Sequence, residues 1–201
     1  MKLDFKQYKH LTWSILLLAT PAIVEMALNT LLGVADMIMI GRLIGSDAIA
    51  SIGFANQIMF LLIFTFSAFN TGAVAMVSRA YGEKDFPKLK RISEQNVLLN
   101  VIVGFGVMAL AFAFRASIFT IYDIEPHIFT QAISYFNYIL MGFVPMFMWF
   151  AFASIMRGAG DTKTPMKITA IANGFNIVGN YVLITGWGPF PEMGVEGAAL
   201  S

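Results

Sequence analysis

The chain has no cysteine, only two histidines and few charges, and each shortage removes a class of chemistry. Without cysteine among its 201 residues there is no disulfide, no thiolate metal site and no cysteine nucleophile. His10 and His127 both stand outside the apolar runs, an arrangement that does not suggest a zinc or haem centre. Asp, Glu, Lys and Arg together make 12% of the residues, about half of the roughly 25% found in soluble domains. The net charge is +1 and no basic stripe interleaves with aromatics, so no nucleic-acid partner is expected. Walker A, HExxH and GxSxG patterns are missing as well, which argues against an enzyme and against an organic cofactor. What fills the chain instead is apolar: 58% hydrophobic residues, with 19 Phe and 13 Met. Apolar runs of about 18 residues or more recur, the length that crosses a bilayer as a helix.

The predicted fold class is therefore all-α, a polytopic transmembrane helix bundle. Charges and Gly/Pro clusters divide it into spans at about 13–40, 48–78, 96–121, 128–156 and 165–186, preceded by a segment 1–12. A sixth helix starts near 194 in "MGVEGAALS". Lipid offers no partner to open backbone groups, and no ten-residue alternation points to a barrel. The first two spans exceed a 30 Å hydrocarbon core, so tilt or protrusion is expected. Pro145 should kink the fourth span. Eleven of the 13 Lys and Arg residues fall in alternate connections: Lys2, Lys6, Lys9; Arg79, Lys84, Lys88, Lys90, Arg91; Arg157, Lys163, Lys167. This bias places the N-terminus in the cytoplasm of a cell with the chain in its inner membrane, and segments 41–47, 122–127 and 187–193 outside.

Two ionisable residues lie deep in the apolar runs, Glu25 and Asp36. Each costs roughly 2.5–3.5 kcal/mol at a helix centre, so each should face protein, a cavity or a partner. Their spacing, with Asn29 between them, draws one polar stripe along the first span, and Gly33 leaves room beside it. "ANGFNIVGNYVLI" in the fifth span carries Asn173, Asn176 and Asn180 on one face as well. Asp36 and Asn180 lie at similar depth, roughly 8–9 Å below the outer ends of their helices. If the faces meet, a carboxylate and two amide carbonyls converge. That is an oxygen-only site for Na+ or another hard monovalent cation, or a protonatable carboxylate held by amides. A structural alternative remains for all of these, because Asn glues membrane helices together by hydrogen bonding. Asn56, Gln57, Asn96, Asn100, Tyr135, Asn137 and Tyr138 fit helix packing better than a cavity. Met59, Phe60 and Phe64 fit lipid or packing contacts, or an adaptable apolar pocket.

"MRGAGDTKTPM" (156–166) resembles the connection between the fourth and fifth helices of the multidrug and toxic compound extrusion (MATE) transporters. "GVADMIMIGRLIGSDAIASIGFANQI" (33–58), "SRAYGEKD" (78–85) and "MGVEGAALS" (193–201) are similar to other segments of that family, in the right order. The resemblance implies half of a twelve-helix protein with two six-helix lobes, this chain being the amino-terminal lobe without most of its sixth helix. It implies export of small organic compounds, often cationic, in exchange for Na+ or H+. The missing carboxy-terminal lobe would come from the same or a second chain. In the family the first-helix Asp, here Asp36, carries a cation site completed by fifth-helix polar residues, here Asn176 and Asn180. Some branches have an acidic residue where this chain has Asn180. Glu25 matches no family motif position; Glu25, Asn29 and Asn173 are candidate cavity or coupling residues. The alternatives are a lipid-linked oligosaccharide flippase of the same superfamily, which predicts a more basic cavity, and a non-transporting scaffold.

Overall fold

A computed structural model describes residues 5–120 and 125–201. Residues 1–4 and 121–124, and with them parts of the expected N-terminal segment and of the 122–127 connection, lie outside the described residues, as do the side chains of 5–11, 14 and 66. All regular structure described is helical: α1 (Phe5–Leu43), α2 (Ser46–Gly82), α3 (Phe86–Thr120), α4 (Pro126–Met141), α5 (Phe143–Gly158), α6 (Lys163–Thr185) and α7 (Val195–Leu200). Four of these are long and apolar enough to cross a membrane, and α4 with α5 makes a fifth span bent by 50°. The bend falls at Gly142, and Pro145 stands in the first turn of α5, where its missing N–H costs no helical hydrogen bond.

Helices outrun the apolar runs that announce them. α3 starts ten residues before the expected span at 96, because charges end the membrane segment but not the hydrogen-bonded ladder. Asp85 starts it by accepting the Lys88 N–H at 3.0 Å. Just before this, Glu83 receives Arg79 Nε at 3.0 Å and Lys88 Nζ at 2.9 Å; these two cations hold its carboxyl below the usual range. The "RGAGDTKTP" connection is organised the same way. Asp161 accepts the N–H groups of Lys163 and Thr164 at 3.2 and 3.0 Å, opening α6. The Thr164 hydroxyl beside it, followed by the Thr164 N–H, lowers the Asp161 carboxyl's pKa. The group's folded-state value thus lies below its unfolded one, so the cap is intact at neutral pH and is lost only as pH falls through that lowered value.

α2, α3, α4 and α5 form one packed group around Ile52, Phe119, Phe136, Phe143 and Phe147, all buried. Phe119 stacks edge-on with Phe136 at 5.4 Å between ring centres. A polar network ties the same group together: Asn96 donates to Ser154 Oγ at 3.0 Å, Asn100 donates to the Asn96 backbone carbonyl at 2.9 Å, and Asn70 donates to Asn100 at 3.2 Å. Asn96 and Asn100 are thus packing residues, as their sequence context suggests. α1 packs chiefly on α6, and α7 lies against α4 and α6. Much of α1 is uncovered, Trp13 and Met26 among its exposed side chains.

Close contact between α5 and α2 depends on Gly158. A methyl group there would meet Val77 Cβ at 2.7 Å and the Val74 carbonyl oxygen at 2.9 Å, and backbone cannot yield as a side-chain tip can. Gly158→Ala is expected to lower the thermal midpoint of the purified protein by an amount equivalent to about 1–3 kcal/mol. Gly106→Ala, which meets nothing within 4 Å, should not lower it. Equal midpoints for the two variants would contradict this packing.

Candidate functional site

Residues 25, 29 and 36 fall on one face of α1 because steps of four and seven residues return nearly to the same azimuth. Positions 169, 173 and 180 do the same on α6. The structure joins the two faces rung by rung. Thr169 Oγ1 donates to Glu25 Oε1 at 3.3 Å, Asn173 Nδ2 to Asn29 Oδ1 at 3.4 Å, and Asn180 Nδ2 to Asp36 Oδ1 at 2.7 Å. Each pair is 144 residues apart. A constant offset over three rungs means that α1 and α6 run parallel and in fixed register. Hydrogen bonds of this kind between membrane helices contribute about 0.6 to 2 kcal/mol each, so the seam holds α1 where side-chain burial is slight.

At one end of the seam Asn180 is buried and Asp36 half-buried. Asn180 uses both sides of its amide: Nδ2 also donates to Asn176 Oδ1 at 3.2 Å, and Oδ1 accepts the Ser201 hydroxyl at 2.6 Å. Asn176 Nδ2 in turn donates to Ser201 Oγ at 3.3 Å. Asn176, Asn180 and Ser201 therefore close a small ring that presents one N–H to the carboxylate. Here the structure departs from the sequence reading, in which two amide carbonyls face Asp36: the group meeting the carboxylate is the amide nitrogen, because an anion attracts a donor. Tyr135 of α4 is buried.

At the other end Glu25 is 6% exposed and forms an ion pair with Arg157 at 2.9 Å. Both residues line a cavity of about 860 Å³ bounded by α1, α2, α5 and α6, together with Asn29, Asn70 and Asn173. Its apolar wall includes Met26, Ile63, Met146, Trp149 and Phe150. Phe60 and Phe64, by contrast, are exposed and stack on each other, while Met59 is buried in the packed group.

Sequence reasoning missed three residues of this seam. Arg157 reads as one more basic residue of a connection, although a buried Glu25 elsewhere in the chain called for a cation. Thr169 continues the Asn173–Asn176–Asn180 face one turn earlier, a signal that was readable. Ser201 reaches Asn180 only because α7 folds back tightly on α6: a methyl group on Gly197 would lie 2.7 Å from the Leu183 carbonyl.

Apolar helices of membrane-spanning length, a broken fourth span and a polar seam define a multi-pass membrane protein. The MatE family model matches residues 21–182, and the chain belongs to that family. It is similar to "Probable multidrug resistance protein NorM" of Thermotoga maritima, 32% identical over 184 residues, which are 92% of this chain and 39% of that protein. It is also similar to an FAD transporter of Shewanella oneidensis, 25% identical over 89% of this chain and 41% of that one. Among solved structures, the outward-facing conformation of a multidrug resistance MATE family transporter of the MOP superfamily matches with a TM-score of 0.84. That match covers 92% of this chain and 40% of the other at 24% identity, and it speaks for the fold alone. The chain thus spans about two-fifths of the length of these relatives, the extent of one lobe.

A thermodynamic cycle tests the Asp36 end of the seam. Asp36→Leu and Asn180→Leu should each destabilise the detergent-solubilised protein, and the double variant should lose less than the two losses added. The expected coupling is about 0.5–2 kcal/mol, read from chemical unfolding. Additive losses would mean that the two side chains do not interact.

Proposed function

We propose that the full-length protein bearing this lobe is a secondary antiporter that exports organic, often cationic, compounds across the cell membrane in exchange for Na+ or H+. In this reading Asp36, Asn176 and Asn180 form the coupling site. The observation that carries it is the geometry at Asp36: a half-buried carboxylate on a membrane helix whose facing amide belongs to a ring able to rearrange. The N-terminus is cytoplasmic, on the strength of the Lys and Arg distribution.

Coupling demands that the ion bind two conformations unequally, and the ring offers a physical basis for that. In the structure Asn180 gives its N–H to Asp36. A sodium ion at Asp36 needs oxygens, as hard cations do, so the Asn180 amide must turn by half a rotation. The Ser201 hydroxyl can follow, because a hydroxyl both donates and accepts. Protonation needs no such turn: a carboxylic acid retains an oxygen that accepts the Asn180 N–H. Either event changes the tie between α1 and α6 and so alters the lobe's conformational balance.

Substrate class follows from the cavity. Its most deeply buried charge is the Glu25 carboxylate, and its walls are Met and aromatic side chains that repack around varied shapes. This favours amphipathic cations over phosphate-bearing cargo such as lipid-linked oligosaccharides or FAD. Arg157 is the cavity's basic residue, and it is engaged by Glu25.

Dye efflux from vesicles containing the full-length protein tests the coupling site. Wild type should export under an imposed Na+ or H+ gradient, whichever couples, and Asp36→Asn should abolish gradient-driven efflux while membrane insertion is unchanged. Undiminished efflux by Asp36→Asn would overturn the assignment.

A further inference from the structure

The Glu25–Arg157 pair is one of the links between two halves of the bundle. α1 and α6 form one packed pair, α2 to α5 the other group, and the 860 Å³ cavity lies between them. Arg157 stands next to Gly158, whose closeness to Val74 and Val77 keeps that end of α5 on α2. Its guanidinium pairs with Glu25 on α1 at the cavity wall. The two partners differ sharply in burial, 8% side-chain exposure for Glu25 against 38% for Arg157.

That asymmetry decides which partner can be replaced. An anion drawn to Arg157 would pull it from Glu25 and leave a buried carboxylate without a counter-charge, a costly outcome. A cation drawn to Glu25 keeps the buried charge paired and releases the guanidinium, the more exposed of the two groups, from the pair. Room and wall chemistry fit such a guest. The volume lies in the range of small-molecule sites, and Trp149 and Phe150 place aromatic rings on its wall, a chemistry that suits a delocalised cation. Among the described residues Arg157 Nη2 is the guanidinium nitrogen bonded to Glu25, so a single contact is broken in the exchange.

We propose that Glu25 is the docking point for the positively charged centre of an exported organic compound, which takes the place of the Arg157 guanidinium and thereby unties α5 from α1. The inference rests on the exporter reading above and names the residue that selects its cargo. It is separate from the ion site, since Glu25 and Asp36 stand eleven residues apart on α1, about 16 Å along the helix. Substrate and coupling ion would then act on opposite ends of the same α1–α6 seam.

The test is equilibrium binding of ethidium, a permanent cation, and of Nile red, a neutral dye, to the purified full-length protein in detergent with no ion gradient. Glu25→Gln should weaken ethidium binding about tenfold or more, while Glu25→Asp should hold it within about threefold. Arg157→Gln, which removes the competing cation, should tighten ethidium binding several-fold. Nile red affinity should stay the same throughout. Unchanged ethidium binding in Glu25→Gln would overturn the proposal, as would parallel weakening of both dyes in Glu25→Gln and Arg157→Gln, the mark of a pair that only holds helices together. Should Glu25→Gln fail to elute as a monodisperse species, the direction of the Arg157→Gln effect decides: tightening supports exchange, and weakening contradicts it. Asp36→Asn is the control that separates the two readings. Loss of gradient-driven efflux belongs to Asp36, whereas gradient-free ethidium binding belongs to Glu25, and either result can fail without the other.

Discussion

A carboxylate inside a membrane span must be met by another group, and in this chain α6 supplies a hydrogen-bond donor at both places where α1 carries one, with Arg157 of α5 adding the counter-charge at Glu25. Asn180 meets Asp36 and Thr169 meets Glu25, with the Asn29–Asn173 rung between them. The rest of the arrangement follows from this constraint. Because lipid competes with apolar side chains as an equal partner, hydrophobic burial alone would give α1 little reason to stay at any one azimuth. Trp13, Met26 and many of its neighbours are exposed. The polar rungs set which face of α1 looks inward, and the constant offset sets its height. α7 then closes on α6, so that Ser201 completes the ring around Asn180. The seam is a directional fastening in a solvent where undirected fastenings are weak.

The two ends of the seam differ in what they can do. At Asp36 the carboxylate is half-buried and faces neutral amides, so a small cation or a proton would change the local charge, and a cation would also reorder the hydrogen bonds. At Glu25 the carboxylate already has a full counter-charge, so the local chemistry is exchange of one cation for another. On the proposed reading, a lobe carrying both would have separate handles for a coupling ion and for cargo on one helix. The remaining polar network, Asn70–Asn100–Asn96–Ser154, sits within the α2–α5 group and lends that group the stiffness against which α1 and α6 could move.

Much of this was legible before any coordinates. Long apolar runs gave the helices, and Glu25, Asn29 and Asp36 against Asn173, Asn176 and Asn180 gave the two stripes, because helical periodicity puts side chains on faces regardless of what lies opposite. Pro145 foretold the break in the fourth span, which the structure resolves as α4 and α5. The contact between stripes was beyond reach, since periodicity fixes a face and not its partner. The orientation of the Asn180 amide was beyond reach too, for it is set by Ser201, 21 residues later and just past the end of α7. Arg157 was misplaced for a related reason. Counting basic residues by connection treats every one near a helix end as solvated, and a side chain as long as arginine can turn back into a cavity.

The claim on which the rest depends is that α1 and α6 lie together with positions 29 and 173 face to face. The chain has no cysteine, so introduced thiols report on that geometry without background. Asn29→Cys combined with Asn173→Cys should cross-link readily with a short bifunctional thiol reagent in membranes. Asn29→Cys combined with Phe175→Cys, whose side chain is 75% exposed on another face of α6, should not. Comparable cross-linking of both pairs, or of neither, would contradict the seam.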